Sequence, residues 1–170
     1  NRLVTLEPAR GAFVSTPSAE EARQVFAVRR MLETEMTRAF VRSSTPAKLK
    51  VLRTHVASEA AALSAQDASG RTELLGDFHV RMAELMGNDV LAQLLRDLIS
   101  RCALITLMYQ SASEAAHSHE EHAEIVAALA ARDEALAVQL MHQHLEHVEA
   151  SLIFDREQPV NELSLALSPL

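Results

Sequence analysis

Apolar residues recur every third or fourth position along most of the chain, and this spacing constrains the fold more than any other feature. The first such series is Val25, Val28, Met31 or Leu32, Met36 and Phe40. This spacing places the apolar side chains on one face of an α-helix. Turn-forming residues are scarce, with 4 Gly and 5 Pro among 170 residues. We therefore predict a chain built mainly from long helices.

Local signals predict where these helices begin and end. Two Ser-x-x-Glu sequences, at 18–21 and 118–121, have the spacing of a capping box and predict the starts of the first and fifth helices. Thr45-Pro46 opens the second helix, and Gly87-Asn88 ends the third. The fourth helix, about residues 89–109, is apolar over most of its circumference, which is typical of a central helix or a subunit contact.

The first 14 residues predict a β-hairpin rather than a helix. Leu3, Val4 and Leu6 are strand formers, residues 8–11 form a turn and residues 12–14 are extended again. A two-stranded hairpin is marginal alone, and the chain does not start with Met, so we expect this hairpin to belong to a domain that lies upstream. The predicted organisation is a hairpin at 1–14, a linker at 15–18, a helical domain at 19–155 and a tail at 156–170.

Charge and composition limit the class of protein. The formal net charge of −7 makes the helical domain a poor direct partner for nucleic acid, which requires a basic surface. The chain contains neither a signal-peptide pattern nor an apolar run approaching the roughly 18–20 residues of a membrane span. The single cysteine, Cys102, excludes an internal disulfide. We expect a cytoplasmic protein without membrane contact.

Three of the eight histidines lie on apolar stripes of three different helices. His79, His122 and His144 should therefore face the interior. A single buried histidine is usually a neutral, hydrogen-bonded core residue. Three of them would instead be satisfied together by one divalent cation, and an unsatisfied buried polar group costs about 1–3 kcal/mol. We also expect His122 to lie in the first turn of its helix, where the dipole keeps the ring neutral.

These histidines belong to a longer pattern. Residues 78–88 read FHVRMAELMGN, residues 28–33 read VRRMLE, and Glu121-His122 and His144-Leu145 follow at matching intervals. Over about residues 20–152 the pattern resembles the FCD domain, the C-terminal domain of FadR-type GntR transcription regulators. Residues 3–14, LVTLEPARGAFV, resemble the wing of the winged helix-turn-helix domain that precedes it. Arg10 and Gly11 would then stand at the wing tip, beside DNA.

The resemblance implies an all-α fold, an antiparallel helical bundle of six to seven helices around a cavity. It implies a homodimer that binds operator DNA through the N-terminal domain. Many members hold a divalent metal with one Asp and three His, and a small carboxylate metabolite completes the coordination. His79, His122 and His144 match the three His positions, whereas Leu75 stands where the family has the Asp. Zn or Ni is the expected metal.

Further ligand-binding candidates follow from the resemblance and from charge. Arg29 matches an arginine of the family, and its guanidinium would bind an effector carboxylate. Arg101 interrupts the apolar fourth helix, where a buried arginine requires an anion. Tyr109 and His147 are the other candidates. For each arginine the alternative is an ion pair on its own helix, with Glu33 for Arg29 and Asp97 for Arg101.

We expect the effector-sensing domain of a bacterial transcription repressor that binds a small organic acid, and not an enzyme. One alternative is a structural dimerisation bundle without a ligand. Another is a metal hydrolase, since three His with an open coordination position activate water in some enzymes. That reaction needs a general base, and the sequence places no suitable carboxylate at helical spacing beside the three histidines.

Overall fold

The computed structural model describes residues 4–7, 11–14, 18–65, 68–109 and 112–152. In chain order these residues form β1 (Val4–Glu7), β2 (Gly11–Val14), α1 (Ala19–Ser43), α2 (Pro46–Ser64), α3 (Ala68–Leu85), α4 (Asp89–Tyr109), α5 (Ala112–Ala131) and α6 (Glu134–Ala150). The helices confirm the predicted all-α bundle. Arg10, residues 15–17 of the predicted linker and the tail at 156–170 lie outside the described residues.

The two strands pair antiparallel, with Val4 opposite Val14 and Glu7 opposite Gly11. This register confirms the predicted hairpin. Within the described ranges, neither strand packs against a helix. The assignment of this hairpin as the wing of a DNA-binding domain stays a prediction.

Side-chain caps begin α1 and α2 where the sequence places them, and α6 and α4 are capped in the same way by Asp133 and by Asn88. Ser18, Thr45 and Asp133 each accept a hydrogen bond from the backbone N–H three residues later, which satisfies a donor that the helix leaves unpaired. Pro46 occupies the first turn of α2. Gly87 has φ +74°, a left-handed conformation that lets the chain leave α3 without steric strain.

The predicted start of the fifth helix is wrong. Helix α5 begins at Ala112, so Ser118 lies inside the helix, where its Oγ donates to the Glu114 carbonyl at 3.1 Å. The Ser-x-x-Glu spacing therefore does not mark a cap here. For the same reason His122 lies well inside α5, and the helix-dipole argument for its neutral ring does not apply.

The helices bury two apolar clusters. The larger one draws on all six helices and includes Phe40, Leu52, Phe78, Leu95, Ile125 and Met141. The smaller one consists of Ala22, Val25, Phe26, Cys102 and Leu152. Along α1, Arg29 and Glu33 lie between the residues of the smaller cluster and those of the larger, and both are buried. On α1 a buried charged pair therefore separates the two clusters.

Helices α3 and α4 approach each other closely at a glycine. A Cβ atom added to Gly76 would lie 2.7 Å from Cγ2 of Ile99, which is shorter than any ordinary contact. Gly76 therefore permits the spacing between these two helices. Among the described helices, none combines the length and the apolar character that crossing a membrane requires.

Candidate metal centre

Three imidazole rings from three helices meet inside the bundle. His79 of α3, His122 of α5 and His144 of α6 are all buried. The Nε2 atom of His144 lies 3.2 Å from Nε2 of His122 and 3.3 Å from Nε2 of His79. The structure thus brings together the three residues that the apolar stripes placed in the interior.

The packing of neighbouring side chains holds these rings in position. The ring of His122 stacks on that of Phe78, with centroids 4.0 Å apart and planes inclined by 14°. Phe78 also meets His79 edge to face at 5.4 Å. Phe78 itself is fully buried in the larger apolar cluster. The orientation of two of the three rings is therefore tied to the core.

Each ring presents its Nδ1 atom to a different carboxylate. His122 with Glu59 at 2.9 Å and His144 with Glu121 at 2.7 Å form hydrogen bonds, and His79 lies 2.5 Å from Glu33 in a close contact without hydrogen-bond alignment. A carboxylate at Nδ1 favours the tautomer that carries its proton there, so the lone pair lies on Nε2. The three lone pairs then face one another.

This arrangement fits a divalent cation. Three neutral rings that carry their protons on Nδ1 have no N–H group at Nε2. Without a cation, the Nε2 lone pairs therefore have no donor among the three rings. Two imidazole ligands of a tetrahedral zinc ion, each at about 2.0–2.1 Å, have nitrogens separated by about 3.3 Å. The observed separations of 3.2 and 3.3 Å match that value. Imidazole nitrogen also suits nickel.

The protonation states favour metal binding at neutral pH. Burial lowers the pKa of His79 and of His144 to about 4, and it also lowers the pKa of His122. Burial by itself raises the pKa of Glu33, but Arg29 and His79 outweigh this effect and bring the pKa down to about 2. The rings are therefore neutral, the form that binds metal, beside an ionised carboxylate.

A cavity of about 430 Å³, counted with its opening to solvent, adjoins the three rings. Its wall includes Arg29, Leu75, Gly76, Ile99 and Cys102. No Asp or Glu lines this cavity among the residues that the structure describes. Because this volume includes space open to solvent, the enclosed part is smaller and suits only a small ligand.

Arg29 takes the ion pair that was one of its two predicted roles. Its Nε lies 2.6 Å from Oε1 of Glu33, and both side chains are buried. The other oxygen of Glu33 faces His79. Glu33 therefore joins the arginine in the cavity wall to the first of the three histidines.

The remaining predicted residues lie in different places. The side chain of Arg101 is 44% exposed and lies 3.7 Å from Oε1 of Glu21, so the prediction that this arginine is buried is wrong. It does not line the cavity. Tyr109 is the last residue of α4, and its side chain lies outside the described part of the chain. His147 is exposed on α6 and contacts Glu121.

Comparison with known proteins identifies the fold. The model of the FCD domain matches residues 24–147. The chain belongs to the FCD family. A structure described as a GntR transcriptional regulator from Rhodococcus sp. RHA1 is similar to this FCD domain, with 25% identity and a TM-score of 0.80 over 92% of this chain and 75% of that one. The FCD domain described above is therefore that of a GntR-family transcription regulator.

A second similar structure is E. coli McbR/YncC, with 17% identity and a TM-score of 0.78 over 88% of this chain and 76% of that chain. At this identity the likeness concerns the fold alone. No curated protein matched the chain. The relatives of this FCD domain are transcription regulators rather than enzymes.

Sequence reasoning missed the carboxylates behind the rings of this FCD domain. Glu59 follows Leu52 and Val56 at helical spacing, and all three are buried on α2. A carboxylate on an apolar stripe is the signal that points to it. Glu33 was considered as a partner of Arg29, and Glu121 as part of a cap and of the family pattern, but neither was placed behind a ring.

Proposed function

We propose that this FCD domain is the effector-sensing domain of a DNA-binding transcription repressor. In this proposal His79, His122 and His144 hold a divalent cation, Zn or Ni. The observation that carries it is the convergence of three Nε2 atoms, with every Nδ1 atom placed against a separate carboxylate. Carboxylates in that position are typical of histidines that bind metals.

The cavity supports a small carboxylic acid as the effector. The cation, when bound, supplies a Lewis acid for a carboxylate oxygen. Arg29 lies in the same wall with its Nε paired to Glu33, and a guanidinium has further N–H donors that can bind a carboxylate. Leu75 stands at the position of the family's Asp and lines the cavity. Three protein ligands rather than four are typical of a site that keeps a position open.

The cavity wall supports binding rather than hydrolysis. Glu33, Glu59 and Glu121 lie close to the rings, but each is held by a histidine Nδ1. Among the residues that the structure describes, no carboxylate lines the cavity, whereas hydrolysis requires a general base beside the attacking water molecule. The described wall therefore favours binding over hydrolysis.

Helix α1 connects the site to the N-terminal hairpin. It begins at Ala19, shortly after β2 ends at Val14, and its Glu33 contacts both Arg29 and His79. An effector that binds one arrangement of these groups more tightly increases the fraction of molecules in which α1 has the corresponding position. The hairpin, as the proposed wing with Arg10 and Gly11 at its tip, transmits this shift to DNA. Coupling of this kind typically amounts to about 1–3 kcal/mol.

Exposed apolar residues support a homodimer. Val28 and Met31 of α1 and Val90 and Leu94 of α4 are exposed, and these two helices pack against each other. Contiguous exposed apolar patches often mark an association surface. A dimer would place two wings on one operator, as two-fold symmetric sites require.

The test uses the tag-free protein after removal of metal with a chelator. Zinc and nickel content is measured after reloading, and thermal shifts are recorded with a panel of small carboxylic acids. We expect His122→Ala to bind about one equivalent of metal less than the wild type and to lose the acid-dependent shift. His142→Ala, which removes an exposed ring of α6, should behave as the wild type. Unchanged metal content and acid response in His122→Ala would overturn the proposal.

A further inference from the structure

A second group of metal-binding side chains lies at the surface beside the buried histidines. His117 and Glu121 come from α5, and His147 comes from α6. One donor atom from each of the three residues lies within 4.8 Å of the other two. Neither His117 nor His147 belongs to the centre described above, so this group calls for its own explanation.

Helix geometry brings the three side chains together. His117 and Glu121 are four residues apart and therefore lie on the same face of α5, with His117 Nε2 at 3.2 Å from Glu121 Oε1. The Nδ1 atom of His147 contacts the same oxygen from α6. The centroids of the two rings are 5.5 Å apart. Two nitrogens and one oxygen thus meet at one point.

Glu121 is fixed while the two rings are open to solvent. Its Oε2 is 2.7 Å from His144 Nδ1, and its side chain is only 11% exposed. The side chains of His117 and His147 are 52% and 54% exposed. The carboxylate is therefore already oriented, so an arriving cation needs to order only two short side chains. This lowers the entropy lost on binding.

We propose that His117, Glu121 and His147 form a second, solvent-accessible site for a divalent transition-metal ion. Two imidazoles and one carboxylate are a ligand set that zinc uses in proteins, and imidazole also suits nickel and copper. Magnesium and calcium prefer oxygen ligands and do not fit this set. With three protein ligands, water molecules would fill the remaining coordination positions of the ion. The site shares only Glu121 with the buried centre, through a different oxygen.

Zinc stoichiometry tests this proposal. The tag-free full chain is stripped of metal and titrated with zinc against a chromophoric chelator of known affinity. We expect two equivalents in the wild type, with the exposed one weaker and faster to exchange. The double variant His117→Ala/His147→Ala should bind one equivalent less, and His122→Ala should keep the exposed one. His142→Ala is the matched control, because it removes an exposed His of α6 that contacts Glu146.

The outcomes separate the two sites. Loss of one equivalent in His117→Ala/His147→Ala but not in His142→Ala supports the exposed site, whether or not the buried centre binds zinc. If the double variant binds zinc with the same number and affinity as the wild type, the exposed site is overturned. A protein that takes up no zinc overturns both sites. Circular dichroism of each variant verifies that the helices remain.

Discussion

The Nδ1 atom of His122 lies 2.9 Å from Oε1 of Glu59, and neither side chain has any exposed surface. The same carboxylate lies 3.1 Å from Nδ1 of His119 and 3.4 Å from Nε2 of His55. Burial by itself raises the pKa of Glu59, but His122 and the other two rings outweigh this effect and bring the pKa down to about 2. A charged carboxylate therefore sets the orientation of His122.

Replacing this carboxylate by its amide should weaken metal binding. In Glu59→Gln the amide oxygen still accepts from His122, but the negative charge that increases the basicity of the ring is lost. We expect the zinc affinity of the buried centre to fall about 10–100-fold with little change in helix content. Competition titration measures the affinity. Glu124→Gln, an exposed change on α5, is the control, and equal affinities for Glu59→Gln and wild type would refute the role of Glu59.

Leu75→Asp should strengthen the buried centre. Leu75 lies one helical turn before His79 and lines the cavity, so an aspartate there supplies a fourth ligand. We expect at least about tenfold tighter zinc binding and a metal-free protein that is about 1–3 kcal/mol less stable, because the carboxylate is then buried without a partner. Leu75→Asn controls for shape without charge. If Leu75→Asp binds zinc no better than Leu75→Asn, the position does not face the metal.

Gly76→Ala should destabilise the contact between α3 and α4. The added Cβ would lie 2.7 Å from Cγ2 of Ile99, a methyl on the branched β-carbon that can move away only if Ile99 leaves its preferred rotamer or the helices shift. We expect the free energy of unfolding in urea to fall by about 1–3 kcal/mol. The loss should be smaller when Ile99 is already Ala, since the clash is then relieved. Equal losses in both backgrounds would exclude this contact as the cause.

The metal-free protein should lose stability as the pH falls. His79 and His144 have a pKa of about 4 in the folded protein against about 6.5 in an unfolded chain. The unfolded chain therefore binds more protons below pH 6.5, and stability decreases from there towards pH 4. Glu33, Glu59 and Glu121, with pKa values of about 2, continue the loss below about pH 4.5. The free energy of unfolding in urea, determined at several pH values, measures this loss of stability. A free energy that stays constant from pH 7 to 4 would contradict the buried, neutral rings.

Much of the helical structure followed from short-range signals. The caps at Ser18, Thr45 and Asp133 depend on hydrogen bonds across three residues, so the sequence alone reveals them. Ser118 has the same local pattern but lies within α5. A Ser-x-x-Glu sequence reads the same at a helix start and inside a helix, and only the preceding residues decide between them.

The histidine cluster was only partly predictable. Apolar stripes indicated that His79, His122 and His144 face inward, because the side-chain period of a helix is a local property. Their partners were not predictable in this way. Glu59 is 63 residues from His122 along the chain, and no spacing rule relates positions on α2 and α5. The prediction that Arg101 is buried was wrong for a related reason. Apolar neighbours along α4 do not guarantee that another helix packs against every face of α4.

The sequence by itself determined the helices, the inward faces of three histidines and the resemblance to the FCD family, because backbone hydrogen bonds and side-chain periodicity act over a few residues. Only the tertiary structure decided that Nε2 of His144 stands 3.2–3.3 Å from the Nε2 atoms of His122 and His79 and that each ring has its own carboxylate. Those distances depend on how α1, α2, α3, α5 and α6 pack. Packing sums many weak contacts between residues that are remote in the chain, and no local pattern encodes that sum.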